Sequence, residues 1–266
     1  MGLGDVWADG LPSPRLDGQR IYDPVVQITN NDICEDANGR TLYSKFEADG
    51  SGSCSVDLND VYSDAQRNKA GNTVCLYQNY GNIRVADAFK PSGITGMRAF
   101  GVDYSGKSGA PCLFVLVDKI DGGNEKLWLW HLAAGNMNAK GSGVTGGDDP
   151  TKIAKVAGDT VTVTKPGGTM KLTAVTPTGG NLIAETRTIK FNQTYNRGVG
   201  TMQLPGIFLH GADPKEGHFF IVATIQPKGV AAPEVKVEGT GLDAVVTVGK
   251  RTVRFDGTKV IFDDVK

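Results

Sequence analysis

The sequence predicts an all-β protein, a large antiparallel β-sandwich with many short strands and little helix. The 266-residue chain contains 36 glycines, and threonine and valine are frequent. This composition is typical of strands joined by tight turns. About fifteen short apolar or alternating runs are separated by turn signals, which is the pattern of a sandwich. No segment shows the periodicity of a long amphipathic helix.

Three consecutive runs, 97–103, 112–120 and 126–132, organise the prediction. The second is apolar almost throughout, which predicts a central strand covered on both faces. The third alternates, so one of its faces could be open. Near the C-terminus, Asp256-Gly257 lies between alternating runs and is a strong hairpin signal. The runs 244–248, 251–255 and 258–262 therefore predict a three-stranded meander.

The remaining predicted elements are short and are bounded by glycine, proline or asparagine. We expect residues 1–50 to be an extended lead-in packed on the main body, and residues 51–266 to form the sandwich domain. A helical turn is expected at 61–68 and a long loop at 133–150. The other predicted strands are 25–29, 41–46, 54–58, 73–77, 82–86, 152–156, 160–164, 169–176, 182–186, 188–192, 206–210 and 218–225.

Composition and motifs exclude several classes of function. The net charge is −1 and the pI is about 6.3, so the sequence gives no electrostatic case for nucleic acid or an anionic membrane. No apolar run is long enough for a membrane span. Nucleophile-elbow, Walker, zincin and Rossmann patterns are missing from the sequence.

The four cysteines are Cys34, Cys54, Cys75 and Cys112. Their wide spacing, without C-x-x-C, argues against a zinc ribbon or a thioredoxin-type pair. Two disulfides are possible in an oxidising compartment. Cys34 with Cys54 is the natural guess, because both lie in a polar, glycine-rich region, but the pairing stays open.

Asp118 and His131 each lie at the end of a predicted strand. A carboxylate and an imidazole at neighbouring strand ends could form a metal site or a general-base site. Zinc is the metal we consider, although a zinc site needs at least three protein ligands. The alternative is structural, with Asp118 capping the following turn and His131 as a hydrogen-bonded strand-end residue.

Trp128 and Trp130 are two residues apart, so they share one face of their strand. On an exposed face, such an aromatic pair is a platform for sugar rings. Within a core, the same pair is ordinary packing.

Two further polar groups are candidates. Tyr195 and Arg197 lie in a polar run and could act as acid/base and carboxylate neutraliser in a polysaccharide lyase, which removes a proton next to a uronate carboxylate. The alternative is an exposed loop. His210 and His218 flank a turn that also contains acidic residues, which could hold a metal ion or could simply be solvated.

The segment 98–132 resembles the β-sandwich of heparinase II/III-like polysaccharide lyases. The matching positions are Arg98, Val117-Asp118-Lys119 and Trp128–His131, and the similarity spans about residues 56–262. In that family the sandwich follows an α/α toroid, which supplies most catalytic residues. The resemblance implies that Asp118 and His131 are metal ligands. It also implies that a toroidal domain, absent from this chain, would be a partner.

The resemblance leads to the expected function, a β-sandwich module that binds or positions an acidic polysaccharide. The alternatives are an extracellular structural or assembly protein without catalysis, and a self-sufficient uronate lyase acting by β-elimination. Whether the chain is an enzyme therefore stays open. We expect an extracellular or periplasmic location, although this chain shows no signal-peptide pattern. Exposed edge strands could be closed by self-association.

Overall fold

A computed structural model describes residues 26–28, 39–59, 62, 65–67, 73–75, 93–133, 136–137, 144–145, 147–192 and 199–265. Strands dominate these residues, and helix is limited to short pieces such as α1 (Pro150–Ile153) and the 3₁₀ turn Gly241–Asp243. The strands are β1 (Val26–Ile28), β2 (Arg40–Phe46), β3 (Gly52–Asp57), β4 (Ala65–Arg67), β5 (Thr73–Cys75), β6 (Thr95–Asp103), β7 (Cys112–Asp121), β8 (Lys126–His131), β9 (Asn136–Met137), β10 (Val144–Thr145), β11 (Ala154–Ala157), β12 (Thr160–Thr164), β13 (Gly168–Thr176), β14 (Asn181–Asn192), β15 (Val199–His210), β16 (His218–Pro227), β17 (Val235–Glu238), β18 (Val245–Val248), β19 (Arg251–Phe255) and β20 (Val260–Asp264).

Three antiparallel sheets form the body of the protein. The central sheet has eight strands in the order β11-β12-β13-β16-β7-β6-β3-β2. A four-stranded sheet, β1-β8-β15-β14, packs on one face, and we call it the back sheet. A second four-stranded sheet, β17-β18-β19-β20, packs on the other face, and we call it the C-terminal sheet. The all-β sandwich class predicted from sequence is confirmed, in a three-layered form.

The central strand β7 supplies both hydrophobic cores. Leu116 and Ile120 point into the core shared with the back sheet, whereas Leu113, Val115 and Val117 point into the core shared with the C-terminal sheet. This division follows from the two-residue side-chain period of a strand. The prediction that this apolar run is covered on both faces is confirmed.

The structure corrects several predicted boundaries. Residues 150–153 form a helical turn because Asp149 caps it, accepting a hydrogen bond from the Thr151 amide, and Pro150 opens it. The predicted strands 182–186 and 188–192 are one continuous strand, β14. The C-terminal meander gains a fourth strand, β17, which the sequence analysis missed.

Residues on both sides of position 50 share sheets. β1 pairs with β8 and β2 pairs with β3, so the described part of the segment 1–50 contributes strands rather than a lead-in alone. The predicted strand 82–86 and half of the predicted helical turn 61–68 lie outside the described residues. Within that turn, Ala65–Arg67 is the strand β4, so the helical prediction is wrong there. In the part of the chain that the structure describes, no helix is both long and apolar enough to span a bilayer.

Arg251 fastens the C-terminal sheet to the central sheet through an ion pair with Asp103. Arg251 donates from Nε to Oδ2 of Asp103 at 3.0 Å and from Nη1 to Oδ1 of Asp264 at 2.6 Å. Burial would raise the pKa of Asp103, but hydrogen bonds from Arg251 and Ser105 outweigh it and hold that pKa below its ordinary value. This contact joins β6 to the start of β19.

Cys54 and Cys112 are free thiols. Cys34, the partner that the sequence suggested for Cys54, lies outside the described residues, and the Cys54 thiol is not in a disulfide. Burial raises the pKa of the Cys112 thiol to about 11, so this thiol is protonated at neutral pH and is a poor nucleophile.

Candidate functional site

The conspicuous polar contact within the protein joins Arg98 to Asp118. The two residues face each other on neighbouring strands, β6 and β7. Arg98 donates from Nε to Oδ1 at 2.6 Å and from Nη2 to Oδ2 at 2.9 Å, a bidentate pair. The Asp118 side chain is 1% exposed and that of Arg98 is 19% exposed.

Trp128 connects this ion pair to the back sheet. Its indole Nε1–H donates to Oδ2 of Asp118 at 3.2 Å. Since Trp128 lies on β8 and Asp118 lies on β7, the bond crosses between two sheets. Three residues of the motif identified in the sequence, Arg98, Asp118 and Trp128, are therefore one connected network.

Tyr62 packs beside the same network. Its hydroxyl donates to the Val26 carbonyl at 3.2 Å, and burial raises the pKa of the phenol above its ordinary value. A Cβ atom on Gly96 would lie 2.6 Å from the Tyr62 ring. The tyrosine therefore packs here because the position on β6 is glycine.

The structure does not bring Asp118 and His131 together. Trp128 and Trp130 point into the core between the back and central sheets, whereas Leu129 belongs to a separate cluster. Because side chains alternate along a strand, His131 projects on the Leu129 side, away from Asp118. The predicted pairing fails because β7 and β8 lie in different sheets, and the residue that faces Asp118 is Trp128.

The residues present do not fit the zinc site that the resemblance implies. Both Asp118 oxygens accept hydrogen bonds, two from a guanidinium, and that positive charge opposes a metal cation at the same carboxylate. His131 lies on the other side of β8. Within the described ranges, no three His, Cys, Asp or Glu side chains form a group that could hold a metal ion.

The two tryptophans are core residues in the structure. Trp128 is 0% exposed and Trp130 is 4% exposed. Their rings stack with centroids 6.2 Å apart, and Trp130 meets Phe114 edge-on at 5.4 Å. The two rings therefore pack within the core, as in the second of the two alternatives, and they do not form the open face that a sugar platform requires. Tyr195 and Arg197 lie outside the described residues.

One end of the sandwich carries the other two histidines, which have separate partners. His218 Nε2 lies 2.9 Å from Asp121 Oδ1, and His210 Nδ1 lies 3.1 Å from the Lys126 carbonyl. Among the described residues, the turn between the two histidines does not form a group of three or more side chains that could hold a metal ion. The two contacts instead tie the β15–β16 turn to the ends of β7 and β8.

Buried Lys126 reinforces the same connection. Its Nζ donates to the Lys215 carbonyl at 2.7 Å and to the Asn124 carbonyl at 3.3 Å. Burial lowers the pKa of Lys126, and the nearby Glu216, Asp121 and Asp213 carboxylates oppose that shift. Lys126 therefore connects the β7–β8 turn, which contains Asn124, to the β15–β16 turn, which contains Lys215.

The central sheet also carries a polar surface that was not predicted from the sequence. Lys171 on β13 lies opposite Thr162 of β12 and Thr224 of β16. Thr169 and Thr173 flank it along its own strand, on the same face. We call these five residues the Lys171 surface. The alternation T-V-T-V-T over 160–164 could have revealed it, since every second position carries a hydroxyl.

No protein-family model matches this chain, and no curated protein is similar to it in sequence. Solved structures with a similar backbone include heparan sulfate lyase HepC from Pedobacter heparinus, 11% identical over 92% of this chain, with a TM-score of 0.46. A heparinase III gene product is 13% identical over 91% of the chain, with a TM-score of 0.47. The chain spans about 30% of the length of each of these proteins.

Proposed function

We propose that this chain is the β-sandwich module of a polysaccharide-lyase-like protein and that it binds or positions an acidic polysaccharide. A separate toroidal domain would supply the chemistry. The observation that carries the proposal is the contact set of Arg98, Asp118 and Trp128. These residues carry the family resemblance and are spread over three strands, and Arg98 and Trp128 both contact Asp118 directly. Such contact is expected if the resemblance reflects a common arrangement of strands.

The burial of this network supports a positioning role over a catalytic one. Asp118 is 1% exposed and is neutralised by Arg98, so it can neither reach a polymer nor accept a substrate proton. The motif therefore stabilises the module, and in this proposal residues on the surface of the module bind the polymer. An extracellular or periplasmic location, where such polymers occur, is part of the same proposal.

A binding assay tests the proposal. The purified chain is immobilised and exposed to heparan sulfate, to alginate and to neutral dextran at about 0.15 M salt, where surface charges are already partly screened. We expect saturable binding of at least one uronate polymer and none of dextran. If no uronate polymer binds, the proposal fails, and the structural or assembly alternative becomes the better account.

A further inference from the structure

The Lys171 surface is a polar part of the central sheet, on the face opposite the back sheet. Met170 and Leu172 point into the core shared with the back sheet, so Lys171 points to the opposite face. Thr162 and Thr224 lie directly across from it on the two neighbouring strands. Opposed side chains on neighbouring strands have Cβ atoms about 4.5–5.5 Å apart. Lys171 thus has one threonine across from it on each neighbouring strand and one on either side along its own strand.

Two of these hydroxyls are buried and lack a hydrogen-bond partner among the described residues. They are Oγ1 of Thr173 and Oγ1 of Thr224, and Thr224 as a whole is 1% exposed. A buried hydroxyl without a partner is unfavourable, because it has lost its hydrogen bonds to water. Native structures leave few such groups without a water, ion or ligand to satisfy them. The two hydroxyls therefore indicate an acceptor that completes the site.

The charge of the surface indicates what that acceptor is. Lys171 has no ion-pair partner in the part of the chain that the structure describes. The residues that share its face on β11, β12, β13 and β16 include a second lysine, Lys155, and no carboxylate. Asp243 is the acid at the border, on the 3₁₀ turn that packs against β13 and β16. A cation beside hydroxyl donors favours an anionic group with several oxygen atoms.

We propose that Lys171, Thr173 and Thr224 bind a carboxylate or sulfate group of a saccharide. In this proposal the Lys171 ammonium and the two neighbouring threonine hydroxyls all donate to the anion. That the anion belongs to a polysaccharide rests on the proposed function above. The anion site itself rests on the geometry of the surface.

The site is tested first with inorganic sulfate. Backbone amide resonances of the full chain are followed during titration with sodium sulfate, against sodium chloride at matched ionic strength. We expect saturable shifts at Lys171, Thr173 and Thr224 that Lys171→Ala reduces at least about tenfold in affinity. Lys250→Ala, which removes an exposed lysine in the turn between β18 and β19, should leave these shifts unchanged. Unsaturable shifts, or equal losses in both variants, would overturn the site.

A second variant separates binding from folding. Thr224→Val removes a hydroxyl that has no partner in the free protein, so the variant should unfold at the same temperature as the wild type or higher. The same variant should lose the stabilisation that sulfate gives to the wild type. A Thr224→Val protein that is destabilised, or that keeps the full sulfate effect, contradicts the assignment.

Polymer binding then distinguishes this inference from the proposed function. Sulfated heparan sulfate and unsulfated alginate are compared with wild type and Lys171→Ala, which shows whether sulfate or carboxylate is preferred. Polymer binding that Lys171→Ala does not weaken overturns the site and leaves the proposed function standing. Sulfate binding at Lys171 without polymer binding supports the site and overturns the proposed function.

Discussion

Arg98 and Asp118 form a bidentate ion pair across neighbouring strands, with the carboxylate 1% exposed and a third hydrogen bond arriving from Trp128 of the facing sheet. Buried pairs of this kind stabilise a fold modestly while intact, yet removing one partner leaves an uncompensated charge in the interior. The motif that carries the family resemblance therefore holds two sheets together. Substitutions in it should be measured first as changes in folding.

Arg98→Ala should lower the free energy of unfolding by about 3–5 kcal/mol, because it leaves the Asp118 carboxylate buried and unpaired. Urea unfolding measures this loss. The control is Arg40→Ala, which removes an ion pair with Asp57 whose arginine side chain is 76% exposed, and it should cost less than about 1 kcal/mol. Equal losses in the two variants would contradict a structural role for the buried pair.

Trp130→Ala should destabilise the protein by about 3–5 kcal/mol, because the ring is buried against Phe114 and Trp128. Urea unfolding and heparan sulfate binding are both measured on this variant. Under conditions where it remains folded, its affinity for the polymer should match that of the wild type. A variant of normal stability that loses polymer binding would restore the sugar-platform interpretation.

Asp103 makes the stability of the protein depend on pH in the acid range. Its pKa is lower in the folded state than its ordinary value, so its stabilising contribution is complete above about pH 4. That contribution is lost as the pH falls through the lowered pKa. Asp103→Asn should therefore be less stable than the wild type at pH 7, and the difference should shrink towards pH 2. Urea unfolding at both pH values measures it, and a difference independent of pH would refute the assignment.

Asp118→Asn should leave the metal content of the purified protein unchanged, since the Asp118 oxygens bind Arg98 and Trp128. The metal content is measured by elemental analysis of the wild type, Asp118→Asn and His131→Ala. Stoichiometric zinc that is lost from both variants, each still folded, would show that the two residues form the metal site implied by the resemblance.

The isolated chain should form no unsaturated uronate product from heparan sulfate or alginate, because the proposal assigns the chemistry to a toroidal domain. Ultraviolet absorbance of the unsaturated product monitors the reaction. Product formation that disappears in Tyr195→Phe would favour the self-sufficient lyase instead.

The sequence was sufficient to predict elements whose signal is local. The apolar run at β7 and the Asp256-Gly257 hairpin predicted the central strand and the end of the chain, because period and turn chemistry depend on neighbouring residues. The pairing of strands into sheets is not local. That β8 leaves the sheet of β7 could not be inferred, and this decides that Asp118 meets Trp128 rather than His131. The Lys171 surface was missed because its threonines come from three strands, and one of these, β16, is distant in sequence from the other two.

The most direct test of the central claim is the affinity of the wild-type chain for heparan sulfate across a salt series, from about 0.05 to 0.3 M. The account predicts saturable binding whose affinity falls as salt rises, because a cationic surface contacts an anionic polymer. Neutral dextran should not bind at any salt concentration. Failure to bind any uronate polymer, or an affinity for heparan sulfate that salt does not change, would contradict the account.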